Sequence, residues 1–226
     1  EKYGFSVDPY FEKYFLYFTM HRSTPPFKPY HVENPVSFTE ENDKNFITEL
    51  KYDGSNIVFS NYTVLTHNFY PLSKDFIGLF AVYLTINPKG KETLDTLMSI
   101  DAITEFYGYL NSPANYHKKE GEPAIDLVVL EVWQNGKWLT PVEKKDYLKE
   151  VGLPAPKTYP YSTIAEAKAH VNEVPYEGFV LKKSEISECP EENINVNLCV
   201  VKVKKPVLKG VKFKAQVTDD LKEEIA

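Results

Sequence analysis

The stretch Glu49-Leu50-Lys51-Tyr52-Asp53-Gly54-Ser55-Asn56 (ELKYDGSN) decides how the rest of the chain is read. A lysine, an acid and a glycine in the order KxDG fit, by themselves, a solvated turn whose glycine takes positive φ. The flanks add strand character. FITEL before it and IVF after it are rich in aromatic and β-branched residues, so Phe46 to Phe59 is predicted to form a hairpin with Gly54 at its bend. A further strand is expected from Tyr62 to Thr66.

Two distant stretches give this one its meaning. In VPYEGFVLKK (174–183) a Glu-Gly pair, Glu177-Gly178, opens a strand, and in VVKVKKP (200–206) Lys202 and Lys204 stand two residues apart. The period of two along a strand sets both lysines on one face and Val201 and Val203 on the other. Alone, such a strand reads as an edge blunted by lysine. In company with KxDG and a Glu-Gly strand it aims two ammonium groups at one place.

Composition limits what the chain can be. Its 226 residues with 42% apolar content can build one sizeable core, and no apolar run approaches the ~20 residues of a membrane helix, so a soluble chain is expected. The net charge of −6 argues against holding nucleic acid or a membrane by bulk charge, so any polyanion must meet a local basic patch. Arg22 is the single arginine, which leaves anion chemistry to lysine. Cys189 and Cys199 form no CxxC and read as ordinary thiols, with a disulfide across a hairpin as the alternative. No signal peptide is visible, and an intracellular, cytoplasmic protein is expected.

Residues 1–45, aromatic and broken by Pro9, Pro25, Pro26, Pro29 and Pro35, read as a leading segment packed on a domain that spans 46–214; residues 215–226 form an acidic tail. KETLDTLMSIDAITEFYGYL (91–110) carries Leu94, Leu97, Met98, Ile100 and Ile103 near helical spacing and is predicted to be helical. AIDLVVLEVW (124–133) reads as a buried strand that reverses at Asn135-Gly136 into Trp138-Leu139. Thr140 to Val151 has the marks of a capped helix, with Thr140, Pro141 and Glu143 in the positions of cap, first turn and capping box. Ser162 to Val171 is a second helix, and strands follow at Gly178 to Lys183 and Asn195 to Lys205 around an acidic loop. Strands and helices that do not alternate strictly point to an α+β domain of antiparallel sheets flanked by helices.

KxDG, then EGxVxK, then KxK before a proline, in this order, resembles the covalent nucleotidyltransferase superfamily of polynucleotide ligases and mRNA capping enzymes. ELKYDGSN is similar to the superfamily's first motif, YEGFVLK to its fourth and VVKVKKP to its fifth, and the likeness runs from about residue 30 to 214. Ser55-Asn56 after the glycine resembles RNA ligases of the bacteriophage type, where DNA ligases and capping enzymes carry arginine nearby. The resemblance implies an ATP-grasp-like ligase fold and an ATP-dependent RNA ligase that forms a lysyl-AMP intermediate with Mg²⁺ or Mn²⁺ and joins 5′-phosphate to 3′-hydroxyl ends in RNA repair. It makes Lys51 the nucleophile. Lys202 and Lys204 would favour the neutral, attacking amine and stabilise charge on the α-phosphate.

By the same resemblance Glu49 would meet the adenine amino group, Asp53 and Glu177 would orient the lysine, ribose or metal, and Asn56 would serve strand joining. Leu130 aligns with the aromatic that stacks on the base, and Glu131 with the following Asp. Tyr109 in FYGYL aligns with the acid of the third motif, and an alternative register makes Glu131 that acid and a metal ligand beside Glu177. Thr66-His67-Asn68-Phe69 stands where the family has a segment like Thr-Arg-Asn-Gly. His67 and Trp133 read as rim or core residues. The partner is expected to be RNA, gripped by the lysines of 202–214, with the chain a monomer and without an oligonucleotide-binding second domain. The alternatives are a DNA ligase, a GTP-using capping-type enzyme, or a nucleotide- or RNA-binding relic that has lost sealing.

Overall fold

The computed structural model describes residues 24–27, 40, 43–111, 122–184 and 200–206. Its strands are β1 (Phe46–Lys51), β2 (Gly54–Ser60), β3 (Thr63–Thr66), β4 (Asp101–Tyr107), β5 (Asp126–Gln134), β6 (Lys137–Trp138), β7 (Thr158–Tyr159), β8 (Gly178–Lys183) and β9 (Val200–Lys204). They form a four-stranded sheet in the order β7-β1-β8-β9 and a five-stranded sheet in the order β3-β2-β4-β5-β6. Among the described residues every strand pairing is antiparallel, in keeping with the α+β reading.

The expected hairpin of Phe46 to Phe59 does not form. Both edges of β1 are taken by β7 and β8 and both edges of β2 by β3 and β4, so the two strands lie in different sheets and Tyr52-Asp53 carries the chain across. Gly54 is the first residue of β2 rather than a bend. It must be glycine for another reason: a Cβ there would run into the carbonyl oxygen of Phe106 on β4. Tyr52, at the crossing, packs its ring on Tyr107 (4.5 Å between centroids) and Tyr176 (5.3 Å), one aromatic from each sheet's end of the passage.

The helix predicted over 91–110 is only half helix. Helix α2 covers Gly90–Met98 and buries Leu94, Leu97 and Met98, but the chain then enters β4 at Asp101. Ala102 through Phe106 are buried in succession, so both faces of this strand are covered and the alternation that marks a half-exposed strand is absent. Helix α1 (Lys74–Ile86), capped by the Ser73 side chain, was not anticipated; it stacks Phe80 on Phe106 with 4.4 Å between ring centroids. Together α1 and α2 cover the outer face of the five-stranded sheet.

Other expectations hold closely. Asn135 and Gly136 both take positive φ, 51° and 78°, in the two-residue turn between β5 and β6. Helix α3 (Pro141–Val151) has the Thr140–Glu143 capping box and ends at Gly152 with φ 73°. Helix α4 (Ile164–His170) is capped by Thr163. Strand β8 begins at Gly178, whose φ of 145° and close approach to the Val203 carbonyl leave no room for a side chain. The two cysteines, the acidic loop, the tail 215–226, the lysines beyond Pro206 and most of residues 1–45 lie outside the described residues. Phe27 is described, and it packs its ring on Trp138 (4.8 Å) and Trp133 (6.0 Å). Among the described residues no helix is long and apolar enough to cross a membrane.

Strand β5 carries one irregularity that matters for the site. Ile103 pairs with Glu131 and Thr104 with Val129, so Leu130 is an extra residue, a β-bulge. Leu127 and Val129 face the outer core, and after the bulge Val132 faces it too. The parity of the strand has flipped.

Replacing Gly54 with alanine forces β2 away from β4 at the point where the chain changes sheets. Gly54→Ala is expected to lower the unfolding free energy by about 2 kcal/mol, the scale of an overpacked interior, in urea titration.

Candidate functional site

A cavity of about 560 Å³ opens between the two sheets. One wall comes from the ends of β1, β8 and β9 and carries Lys51, Val180, Lys202 and Lys204; the other comes from β2, β4 and β5 and carries Asn56, Glu105, Leu130 and Glu131. The volume suits a nucleotide-sized ligand. The loop His67-Asn68-Phe69 forms part of its lining.

Lys51 is the last residue of β1, so its side chain leaves the sheet where the chain begins to cross. Its Nζ donates to Oε2 of Glu177 at 2.6 Å, and Lys204 pairs with the other oxygen of the same carboxylate. Burial alone would raise the Glu177 carboxyl, but Lys51 and Lys204 overcome it and hold the group below the usual carboxylate range. The backbone repeats this arrangement: the Glu177 amide donates to the Lys51 carbonyl at 3.0 Å and the Lys205 amide to the Glu177 carbonyl at 3.0 Å. Val201 and Val203 are buried behind Lys202 and Lys204, as strand alternation requires.

The floor of the cavity is an ion cluster. Glu49, Glu131, Lys144 and Lys182 are 4%, 5%, 1% and 3% exposed. Lys144, on α3, donates to Oε1 of Glu49 at 2.6 Å; Lys182, on β8, meets Oε2 of Glu49 at 2.7 Å and pairs with Glu131. Both ammonium groups also donate to the carbonyl oxygen of Leu130, at 2.7 and 3.0 Å. The bulge turns that carbonyl out of the ladder and brings Leu130 and Glu131, neighbours in sequence, to the same cavity. Burial pulls the Lys144 ammonium downward, and Glu49 only partly restores it. Burial likewise raises Glu49, whose carboxyl the two lysines nonetheless hold low.

Glu105 projects from β4 into the cavity and accepts from the Asn56 amide. Its burial pushes the carboxyl up to about 8, with Lys51 opposing and Glu177 and Asp53 adding to the rise. Asp53 is buried at the crossing between the sheets. Tyr109 lies in a 3-10 turn after β4 and is not among the residues lining the cavity. Glu105, inside the stretch read as helix, is thus a cavity acid that the motif reading does not name, while Glu131, the acid of the alternative register, also lines the cavity and pairs with Lys182. Lys144 went unseen because TPVEKKDYL reads as a solvated helix; its one signal was the buried spacing Pro141, Lys144, Leu148.

The structure brings together Lys51, Lys202, Lys204, Asn56, Glu49, Leu130 and Glu131 around one cavity, with Glu177 behind Lys51 and Lys204 and Asp53 outside the lining. Among the described residues no three His, Cys, Asp or Glu side chains converge to hold a metal ion directly. Magnesium, however, commonly takes one or two carboxylates together with substrate phosphates. Glu105, which lines the cavity, and Glu177, which holds Lys51 there, both lie within electrostatic reach of Lys51 and are the carboxylates that suit that mode.

Solved structures share this architecture. An RNA ligase from Naegleria gruberi, a lysine-to-methionine mutant with AMP and Mn, superposes with a TM-score of 0.58 over 82% of this chain and 58% of its own, at 14% identity. The fold is that of a ligase nucleotidyltransferase domain. A lysine-to-alanine mutant of the same ligase with ATP and Mn gives 0.55 over 75% of this chain and 56% of its own, at 15% identity. An archaeal ATP-dependent RNA ligase gives 0.55 over 79% and 48%, at 14% identity. This nucleotidyltransferase-fold chain therefore spans little more than half the length of the RNA ligase it matches first. No protein-family model and no curated protein matches its sequence.

Two measurements probe the site. Lys144→Met leaves Glu49 short of a buried partner and is expected to cost about 3 kcal/mol in urea titration. Glu105 binds a proton more tightly in the folded chain (about 8) than its ordinary value of 4.5, so the folded state is penalised increasingly as pH rises from about 4.5 to 8. Glu105→Gln is expected to raise the Tm at pH 8 by several degrees and to leave it nearly unchanged at pH 5, by calorimetry.

Proposed function

We propose that the chain is the adenylyltransferase domain of an ATP-dependent RNA ligase-like enzyme. The observation that carries this reading is the placement of Lys51: its Nζ reaches the cavity, is held by Glu177, and stands beside the lysine strand of Lys202 and Lys204. The Lys51 amine attacks the α-phosphorus of ATP, the bond to the β-phosphate oxygen breaks, and pyrophosphate leaves. The product is a lysyl-AMP phosphoramidate. AMP then passes to a 5′-phosphate end, and a 3′-hydroxyl attacks that phosphorus and expels AMP.

Each residue has a task in this sequence. Glu177 holds and orients Lys51 at the cavity. Lys202 and Lys204 disfavour a further positive charge there, so that Lys51 gives its proton to solvent and attacks as the neutral amine, and the same two lysines meet the charge that grows on the α-phosphate. Glu49 keeps lone pairs beyond those given to its two lysines and accepts from the adenine amino group; Glu105 and Asn56 face the ribose side. A Mg²⁺ or Mn²⁺ ion held by Glu105 and Glu177 would neutralise phosphate oxygens. The role of Glu177 follows from family likeness, as do that of Glu131 as an alternative metal ligand and that of Asp53 in orienting the lysine; Glu105 joins them because it lines the cavity.

The lysines of 202–214 are the proposed grip on RNA, and an affinity that falls steeply with salt is expected of them. One observation favours a second reading, in which adenylylation survives without sealing: His67 lines the cavity where a permanent guanidinium is expected, and imidazole does not copy its fork.

Incubation with α-labelled ATP and Mg²⁺ should leave label bound covalently to the protein, and Lys51→Ala should abolish it. An unlabelled wild-type protein, or an equally labelled variant, defeats the reading. Labelled GTP in competition separates a capping-type enzyme, and nicked RNA against nicked DNA separates the ligases. Label without joining of either strand identifies the domain that has lost sealing.

A further inference from the structure

Phe69 has a backbone conformation that its side chain opposes. Its φ is 64°, in the left-handed region, which costs an ordinary residue roughly 1–2 kcal/mol. The loop explains the conformation. Leu65 and Pro71 are bridged, the Thr66 amide donates to the Tyr70 carbonyl at 2.8 Å, and the Phe69 amide donates to the Thr66 carbonyl at 2.9 Å. His67-Asn68-Phe69 is thus a three-residue reversal, and such loops place their third residue in the left-handed region. Glycine takes that position without cost. The loop demands the conformation and does not demand phenylalanine.

What the ring touches supplies the reason. Phe69 lines the cavity, and it lies half-buried against the cluster of Phe27, Val58, Leu65, Ile103 and Trp138. Leu130 rests on the same cluster and lines the same cavity. Across from them the β8–β9 wall offers Val180 and Val200, with the ion cluster of Glu49 and Lys182 below. The cavity therefore contains an apolar slot with a polar floor, and among the described residues that line it Phe69 is the one phenylalanine, while the ring of Tyr52 is packed on Tyr107 and Tyr176 at the crossing. Tyr62 also has positive φ, 59°, but it sits 52% exposed in the two-residue turn between β2 and β3, away from the cavity lining.

We propose that Phe69 is a base-stacking residue. Its ring lies against the purine of the bound nucleotide and provides, from the loop after β3, the aromatic surface that Leu130 lacks. This rests on the nucleotide-binding part of the function proposed above and adds a specificity determinant to it. The strain at Phe69 is tolerated because the Thr66–Tyr70 hydrogen bonds and the aromatic cluster fix the loop from two sides. A flat ring set in place before the ligand arrives loses little freedom on binding.

The test uses α,β-methylene ATP, whose α–β linkage Lys51 cannot cleave, so that binding is read without chemistry. Calorimetry on wild type, Phe69→Leu and Phe69→Tyr is compared with titration of inorganic tripolyphosphate, which has no base. Phe69→Leu keeps an apolar side chain against the cluster and removes the ring. It is expected to weaken α,β-methylene ATP binding about tenfold, the scale of one lost stacking contact, and to leave tripolyphosphate binding unchanged. Phe69→Tyr should stay within about twofold of wild type.

A triphosphate of 2-aminopurine riboside gives an independent signal, because stacking quenches its fluorescence. Wild type and Phe69→Tyr should quench it and Phe69→Leu should not. Equal nucleotide affinity and equal quenching in Phe69→Leu overturn this inference and leave the ligase reading standing. A Phe69→Leu protein that binds nucleotide normally but loses RNA affinity also overturns it, by assigning the ring to the polynucleotide. A wild-type protein that binds tripolyphosphate and α,β-methylene ATP equally tightly shows no base contact and overturns it as well. Failure of wild type to bind any nucleotide overturns the ligase reading and this one with it.

Discussion

Two glutamates and two lysines closed off from water hold the two sheets in register. Glu49 and Lys182 belong to the four-stranded sheet, Glu131 and the Leu130 carbonyl to the five-stranded sheet, and Lys144 reaches in from α3. Desolvating four charges is expensive, and such a cluster persists only when each charge meets opposite charge in good geometry. A hydrophobic contact between the sheets would tolerate sliding. This one does not, because displacement by one residue would leave an ammonium or a carboxylate buried without its partner. The spacing of the cavity walls follows from that requirement, and with it the distance between Lys51 on one wall and Glu105 on the other.

Legibility in the sequence tracked how local each signal was. The Asn135-Gly136 turn, the Thr140–Glu143 capping box and the Glu-Gly start of β8 are set by a few adjacent residues, and each appears where it was expected. The lysine alternation of β9 was equally readable, since Val201 and Val203 are buried and Lys204 exposed. Failures arose where partners come from far along the chain. KxDG looked like a hairpin turn because nothing in eight residues tells that β7 and β8 will claim both edges of β1. Asp101 to Tyr107 looked helical because its burial on both faces erases the period of two.

The site divides along the same line. Lys51, Glu177, Lys202 and Lys204 were readable from motifs whose spacing is fixed by strand geometry. Glu105 and Lys144 owe their places to packing between sheets, and the bulge at Leu130 that joins Lys144 to Lys182, the lysine of EGxVxK, had no sequence pattern to announce it. Arginine scarcity acquires a physical setting as well. Every cation described at the cavity is a lysine, a compact charge that fits beside a single carboxylate oxygen or carbonyl where a guanidinium fork would need a wider pocket.

The amide links from Lys51 to Glu177 and from Glu177 to Lys205 have a mechanical meaning. They form a short relay of backbone, three strand ends tied crosswise at the mouth of the cavity. Tension on the chain at Pro206 has, beside the β8–β9 ladder, a direct hydrogen-bonded route through that relay to the carbonyl of Lys51. The end of β9 is therefore a lever whose short arm is the peptide group of Lys51.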